Sequence, residues 1–412
     1  MSIRKIKSWG ANLGPGIVVA ATGVGAGDLI AASVAGARYG TIVLWAAVVG
    51  GLLKLALNEG VARWQLATGE TVLEGWCRRL PRGVAYYFGG YLLLWAFVVA
   101  GALMAACGLA AHTVLPLLED ERLGVLFWGA IQSFAAAGLV WAGRYALIEQ
   151  VMKGLIAFMF VVVVGSAVVL APGWRAVAEG IFWPRMPEGD GAVWLVLGLI
   201  GGVGGSVTLL SYAYWLKEKG WSGSGALGTA RVDLGTAYLL TSVFGAALIV
   251  IAAGAKAAEV EGYGMIVSLA GQLEQAAGQW GYWAFLLGFW GAVFSSMLGV
   301  WDGVPYLFAD FLAAMRPARR AVALRRSPEY KMALLYLALP PLLLLLFGKP
   351  AWIGVVYAVT GAFFMPFLAA LLLYMNNRKD WLGPLCNGWA ANLGLLSALL
   401  LFLALFLSKL LL

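Results

Sequence analysis

The chain has 412 residues, 62% of them apolar and 12% charged, with a formal net charge of +8 and a mean hydropathy of +0.87. Soluble domains carry roughly 45–50% apolar and 25% charged residues, so this composition argues against a soluble globular protein. One His and three scattered cysteines (Cys77, Cys107, Cys386), with no Cys-x-x-Cys, indicate neither a zinc site nor a disulfide framework.

In chain order, Met1–Trp9 is short and basic, with no small-residue cleavage pattern after it, and reads as an uncleaved cytoplasmic N-terminus. The apolar excess then falls into about eleven stretches, most of them long enough to cross a bilayer as helices. They lie near 12–36, 41–62, 85–111, 123–142, 149–171, 192–215, 233–255, 282–312, 332–347, 351–375 and 388–410. With the N-terminus inside, 20 of the 28 Lys and Arg residues lie on inner segments and 7 on outer ones; Lys54 falls within the second span. That bias follows the positive-inside rule and puts the C-terminus outside. The basic patch Arg316–Arg326 reads as a cytoplasmic loop, not as a nucleic-acid surface, and the acidic outer loops such as Glu119-Asp120-Glu121 as solvated. Linkers are short, so residues 1–412 form one membrane domain. It suits a prokaryotic inner membrane and has the lipid bilayer as its surroundings.

Two spans carry glycine clusters at depth. The first holds Gly23-Val24-Gly25-Ala26-Gly27-Asp28, three glycines and one carboxylate. A charge at that depth costs from roughly 2.5 to over 10 kcal/mol, so it needs a reason. The sixth holds Gly198, Gly201, Gly202, Gly204 and Gly205, followed by Ser206-Val207-Thr208. Glycine-interrupted segments at matching places in two halves point to an inverted repeat of broken helices around a midplane site. The repeats are 12–171 (helices 1–5) and 192–375 (helices 6–10), with 388–410 as an extra helix 11. Close helix packing through small-xxx-small spacing, such as Gly201 with Gly205, is the competing explanation of the second cluster.

The remaining polar groups at depth are few. Glu59 and Arg63 are spaced i, i+4 and read as a structural pair, with Glu59 also a candidate for the pathway; Glu149 and Lys153 read as an interfacial pair. Asp233 opens the seventh span, where a capping role is expected. Asp302, between Gly299 and Pro305, either lines the route or relays protons, or else is a buried hydrogen-bonding residue. Asp310 is expected to be solvated, and His112 interfacial. Tyr212, Tyr214 and Trp215 read as an aromatic belt, with a cation–π wall for an organic ammonium as the alternative.

These residues resemble the Nramp divalent-metal transporters, which share the LeuT-type inverted repeat. Gly14-Pro15-Gly16 is similar to that family's entry to its first helix. Leu66-Ala67-Thr68-Gly69-Glu70, Gly143-Arg144-Tyr145 and Gly204-Gly205-Ser206-Val207 fit its later motifs, and the likeness covers nearly the whole chain. The departures fall on the metal site. The family's Asp-Pro-Gly-Asn aligns with Gly25-Ala26-Gly27-Asp28, so its metal-binding Asp is glycine here and an Asp takes the place of its Asn. Its Met-Pro-His-Asn aligns with Thr208-Leu209-Leu210-Ser211, which replaces a thioether by a hydroxyl and removes the His. The third span has no acid where the family carries a Glu.

The resemblance implies an all-α membrane protein with helices 1 and 6 broken near the midplane. It also implies a secondary transporter, not an enzyme, moving a small cation by alternating access without a cofactor or an obligate protein partner. Asp28, the carbonyls of Gly25 and Gly205, and the hydroxyls of Thr208 and Ser211 would form an all-oxygen site of Mn2+ or Mg2+ type. Asp28 is then the one charged ligand, with Glu59, Asp302 and Tyr212 as pathway or coupling candidates. One carboxylate equally suits an organic cation or amino-acid-like solute, and a non-transporting scaffold is the third reading.

Overall fold

The computed structural model describes residues 14–142, 145–189, 191–202, 204–255, 264–316, 324–348 and 350–410, and every regular element among them is helical. Of the resemblance motifs, Gly143 and Arg144 lie outside the described residues.

The first expected span is two helices. α1 (Pro15–Gly23) has proline at its first position, where a missing N–H costs nothing, and ends where Val24 leaves the helical region at φ −90° and ψ 74°. α2 (Ala26–Tyr39) follows, and α3 (Leu44–Thr68) ends on Gly69 in the left-handed conformation. The short α4 (Val72–Arg79) opens with a capping box in which Thr71 and Glu74 exchange hydrogen bonds. α5 (Arg82–Val114), α6 (Glu121–Ala142), α7 (Tyr145–Leu170) and the short α8 (Trp174–Phe182) complete the first half.

The sixth expected span is likewise broken. α9 (Ala192–Gly202) stops before the glycine pair, a 3-10 turn covers Val207–Ser211, and α10 (Tyr212–Glu218) resumes. α11 (Leu227–Ala255) comes next. α12 (Gly264–Met315) has a non-helical Gly278, which separates a short first arm from the long core stretch. α13 (Pro328–Ala338) is capped by Ser327; α14 (Leu342–Leu345), α15 (Pro350–Asn376), α16 (Lys379–Leu382) and α17 (Trp389–Leu410) follow.

Eight helices among the described residues are long and apolar enough to cross a membrane, or nine with the pair bent at 385–389 counted as one. That is short of the eleven expected from composition. The breaks divide crossings into pieces too short to pass alone, as at α1 with α2 and at α13 with α14.

α1 packs against α7, α11 and α12, and α2 against α11 and α9; α3 meets α11 and α17. The buried apolar side chains form one continuous core, with Trp64, Trp95, Trp215 and Trp301 among its largest members. The two broken helices thus run through the middle of the bundle, where water cannot satisfy the backbone groups that a break frees.

Candidate functional site

The two breaks touch. A Cβ on Gly23 would lie 2.9 Å from the carbonyl carbon of Gly204, and one on Gly205 would lie 3.5 Å from the Gly23 Cα. Gly204 and Gly205 have φ values of +91° and +81°, a region closed to most side chains. Glycine is therefore needed here twice over, for backbone angle and for close approach. The backbone geometry favours a true break over a small-residue packing motif.

The freed carbonyls at the end of α1 are met by α12. The Ser296 hydroxyl donates to the Thr22 carbonyl at 2.7 Å, and that of Ser295 to the Ala21 carbonyl at 3.2 Å. One seam of α12 then follows the broken helices. Ser296 faces Gly25, Gly299 faces Thr22, and Gly303 faces Ser211. Seven residues of helix rise about 10 Å, so Ser211 sits a full level away from Gly25. Its hydroxyl is fully buried and has no hydrogen-bond partner among the described residues. Thr208 is buried with its hydroxyl over Gly205, so Gly205 and Thr208 share one level. The Gly25 carbonyl accepts the Leu29 N–H at 3.1 Å. Asp28 lies in the first turn of α2, at the break, and its side chain is outside the described residues. Among the described residues no group of three or more His, Cys, Asp or Glu could hold a metal ion.

The Gly205 carbonyl has a cationic partner. Lys54, fully buried on α3, donates its ammonium to it. One turn on, the Asn58 amide donates to Tyr238 at 3.0 Å, while Trp95 donates to Ser206 at 3.1 Å on the other side of the break.

α10 is tied down by three aromatic donors to three buried carboxylates. Tyr212 donates to Asp233 at 2.9 Å, Tyr214 to Asp310 at 2.7 Å, and Trp215 to Asp302 at 3.0 Å. None of the three rings is more than 2% exposed, which corrects the aromatic-belt reading. A belt needs its polar tips in the headgroup region, whereas these tips end on carboxylates inside the protein. Tyr212 and Trp215 are thereby also turned away from a role as a cation–π wall. Asp310, expected to be solvated, is 3% exposed and held by Thr71 as well. Asp233 does not open its own helix. It lies in α11 and accepts the N–H groups of Gly14 and Gly16 at 3.2 and 2.6 Å, so the expected cap is made on α1 instead.

Asp302 is fully buried and pairs with Arg325 at 3.0 Å, while Tyr330 donates to its backbone carbonyl at 3.0 Å. Burial works against the Arg325 charge, but the Asp302 carboxylate together with Tyr330 and Tyr306 outweighs it and raises the guanidinium above its ordinary range. Glu59 pairs with Arg63 at 2.6 Å, as its spacing implies, and with Arg231 at 2.8 Å. Glu149, 5% exposed, bridges Lys153 and Lys219.

Sequence reading missed Lys54 as a site residue, although a lone Lys inside an apolar span is itself a signal. It also missed Arg325, which looked like one member of a basic loop, because nothing local links it to Asp302.

The whole arrangement matches known proteins in sequence and in fold. A divalent metal cation transporter MntH of Pectobacterium carotovorum is 26% identical over 251 residues, covering 59% of this chain and 58% of that relative. Its Aeromonas hydrophila counterpart is 26% identical over 254 residues, covering 59% of each chain. The chain thus spans about three-fifths of the length of the curated relatives it matches. A crystal structure of an Eremococcus coleocola manganese transporter mutant superposes with a TM-score of 0.79 at 15% identity, over 99% of this chain and 88% of that one. MhsT in complex with L-phenylalanine gives 0.60 at 17% identity, over 95% and 98%. At such identities the likeness speaks for the fold, a LeuT-like bundle. The family described as Natural resistance-associated macrophage protein-like matches residues 16–412, and the chain belongs to this Nramp family.

Proposed function

We propose that the protein is a secondary transporter that moves a divalent cation of Mn2+ or Mg2+ type across a prokaryotic inner membrane by alternating access. The observation that carries this reading is the cation already bound at the break. The Gly205 carbonyl, freed by a left-handed glycine pair, holds a fully buried ammonium. A locus that satisfies one cation there has the polarity to receive another. The substrate site consists of Asp28, the Gly25 and Gly205 carbonyls and the Thr208 hydroxyl. Ser211 lies one level along the route, its hydroxyl free to take a ligand or a water. An all-oxygen set suits ions that keep part of their water shell.

The five-helix repeats 12–171 and 192–375, with 388–410 beside them, would rock against each other around that site. With the basic loops inside and the C-terminus outside, the α10 network and the Asp302–Arg325 pair seal the cytoplasmic side in this conformation. Asp302, Tyr212 and Glu59 would then act by holding or releasing that seal. A second reading, an organic ammonium as substrate, draws on the same contact, since the group on Gly205 is itself a primary ammonium.

Uptake into proteoliposomes tests both. Saturable Mn2+ or Mg2+ uptake that falls at least about tenfold in Asp28→Ala, a loss of about 1.4 kcal/mol of binding or more, is expected. Saturable methylammonium uptake without divalent uptake would replace the metal reading by the second. Full transport in Asp28→Ala would remove the central residue from both.

A further inference from the structure

Lys54 is placed as a ligand would be. Its stem crosses Gly204, whose Cβ would lie 3.5 Å from the Lys54 Cγ, and its ammonium lies 6.0 Å from the centre of the Phe402 ring. Four elements therefore wall this position. α3 supplies the lysine and Asn58, α11 supplies Tyr238, α17 supplies Phe402, and the break after α9 supplies the Gly205 carbonyl. Any larger residue at Gly204 would push on the Tyr238 ring, at 2.8 Å from the added Cβ, so the glycine also keeps the lysine's path open.

Moving an ammonium into such an interior is costly unless hydrogen bonds and charges repay it. A buried lysine aimed at the carbonyl of a helix break is thus not a neutral filler. It occupies an acceptor that a free cation approaching the break would use. We propose that the Lys54 ammonium is a tethered cation that competes with the transported cation for the Gly205 carbonyl and so weakens the hold on divalent ions. This rests on the cation reading above and adds a specificity-determining residue to it. Two effects act together. The tether supplies a local ammonium concentration in the millimolar range or above, which a free ion must outcompete. Its charge also repels a divalent ion about twice as strongly as a monovalent one at the same distance. Removing the charge should therefore favour Mn2+ over methylammonium, a difference that a merely looser fold would not produce.

The test is titration of the full chain in detergent with Mn2+ and, separately, with methylammonium. It compares wild type with Lys54→Met, Lys54→Gln and Lys54→Arg. Expected is at least about a tenfold gain in Mn2+ affinity for the Met and Gln variants, a smaller gain for methylammonium, and wild-type behaviour for Arg. Unchanged or weakened Mn2+ binding in the neutral variants, with wild type still binding, overturns the role of Lys54 and leaves the cation reading standing. An equal gain for both ions, or the same gain in Lys54→Arg, also overturns it. Failure of both neutral variants to fold would make Lys54 a structural residue and overturn the proposal as well. No binding of either ion by any form overturns the cation reading itself.

Discussion

The carboxylate of Asp233 accepts the backbone N–H of Gly16 at 2.6 Å, so a residue in α11 caps a helix whose second residue lies 217 positions earlier. Gly14 and the Tyr212 hydroxyl donate to the same carboxylate. Pro15, between the two glycines, has no N–H to offer, so the available donors there converge on one side chain. A Cβ on Gly16 would lie 2.4 Å from the Asp233 carbonyl oxygen, which explains the glycine.

Replacing Asp233 by Ala removes the side-chain acceptor of the Gly14 and Gly16 N–H groups, while the Tyr212 hydroxyl keeps the Ala230 carbonyl at 3.5 Å. Each orphaned donor costs about 1–3 kcal/mol. Asp233→Ala should lower stability by about 2–5 kcal/mol, and Asp233→Asn by less, because the amide oxygen can still accept. Thermal unfolding in detergent checks this; an unchanged midpoint for the Ala variant would mean that the cap adds nothing.

The Asp302–Arg325 pair joins α12 to the segment before α13. Breaking a buried pair from one side costs about 3–5 kcal/mol, while replacing both partners by apolar groups is often far cheaper. Arg325→Met should therefore destabilise more than the double variant Asp302→Leu with Arg325→Met. A double-mutant cycle with additive effects would contradict the coupling drawn from the geometry.

At Gly204, alanine meets both a φ of +91° and the Tyr238 ring at 2.8 Å. The left-handed conformation alone costs about 1–2 kcal/mol for a residue with a Cβ. Gly204→Ala should cut uptake below about a tenth of wild type. Gly198→Ala, where an added Cβ meets nothing within 4 Å, should leave uptake intact. Equal activity in the two variants would detach function from the break.

Cys77, at the end of the short α4, has its thiol pushed up to about 11, by burial first and then by the negative charges of Asp310 and Glu74. A raised thiol pKa keeps the nucleophilic thiolate scarce, about one in ten thousand at pH 7. Its alkylation should be slow at neutral pH and climb steadily between pH 8 and about 11. Glu74→Gln should shift that rise to lower pH. Mass-spectrometric labelling rates of the Cys77 peptide read this directly, and a rate flat above pH 8.5 would contradict it.

Much of the molecule was legible without coordinates. The helical membrane character, though not the count of eleven spans, the glycine clusters at 23–28 and 198–205, and the i, i+4 pair of Glu59 with Arg63 follow from periodicity and composition, which are local properties. Asp233 was legible only in part, because carboxylates near helix starts are good caps, and nothing in the sequence says whose helix start. The polar tips of Tyr212, Tyr214 and Trp215 were misread for the same reason, since an aromatic cluster at a span end looks alike whether it faces headgroups or buried acids.

By itself the sequence determined that this is a helical membrane protein and where its helices fail, since hydropathy and glycine content act along the chain. Only the tertiary structure decided what meets at those failures. Gly23 lies against Gly204, Ser295 and Ser296 close the end of α1, and Lys54 stands at the Gly205 carbonyl. The physical reason is that a backbone group freed in an apolar interior must find a partner, and which partner reaches it depends on packing between segments far apart in the chain.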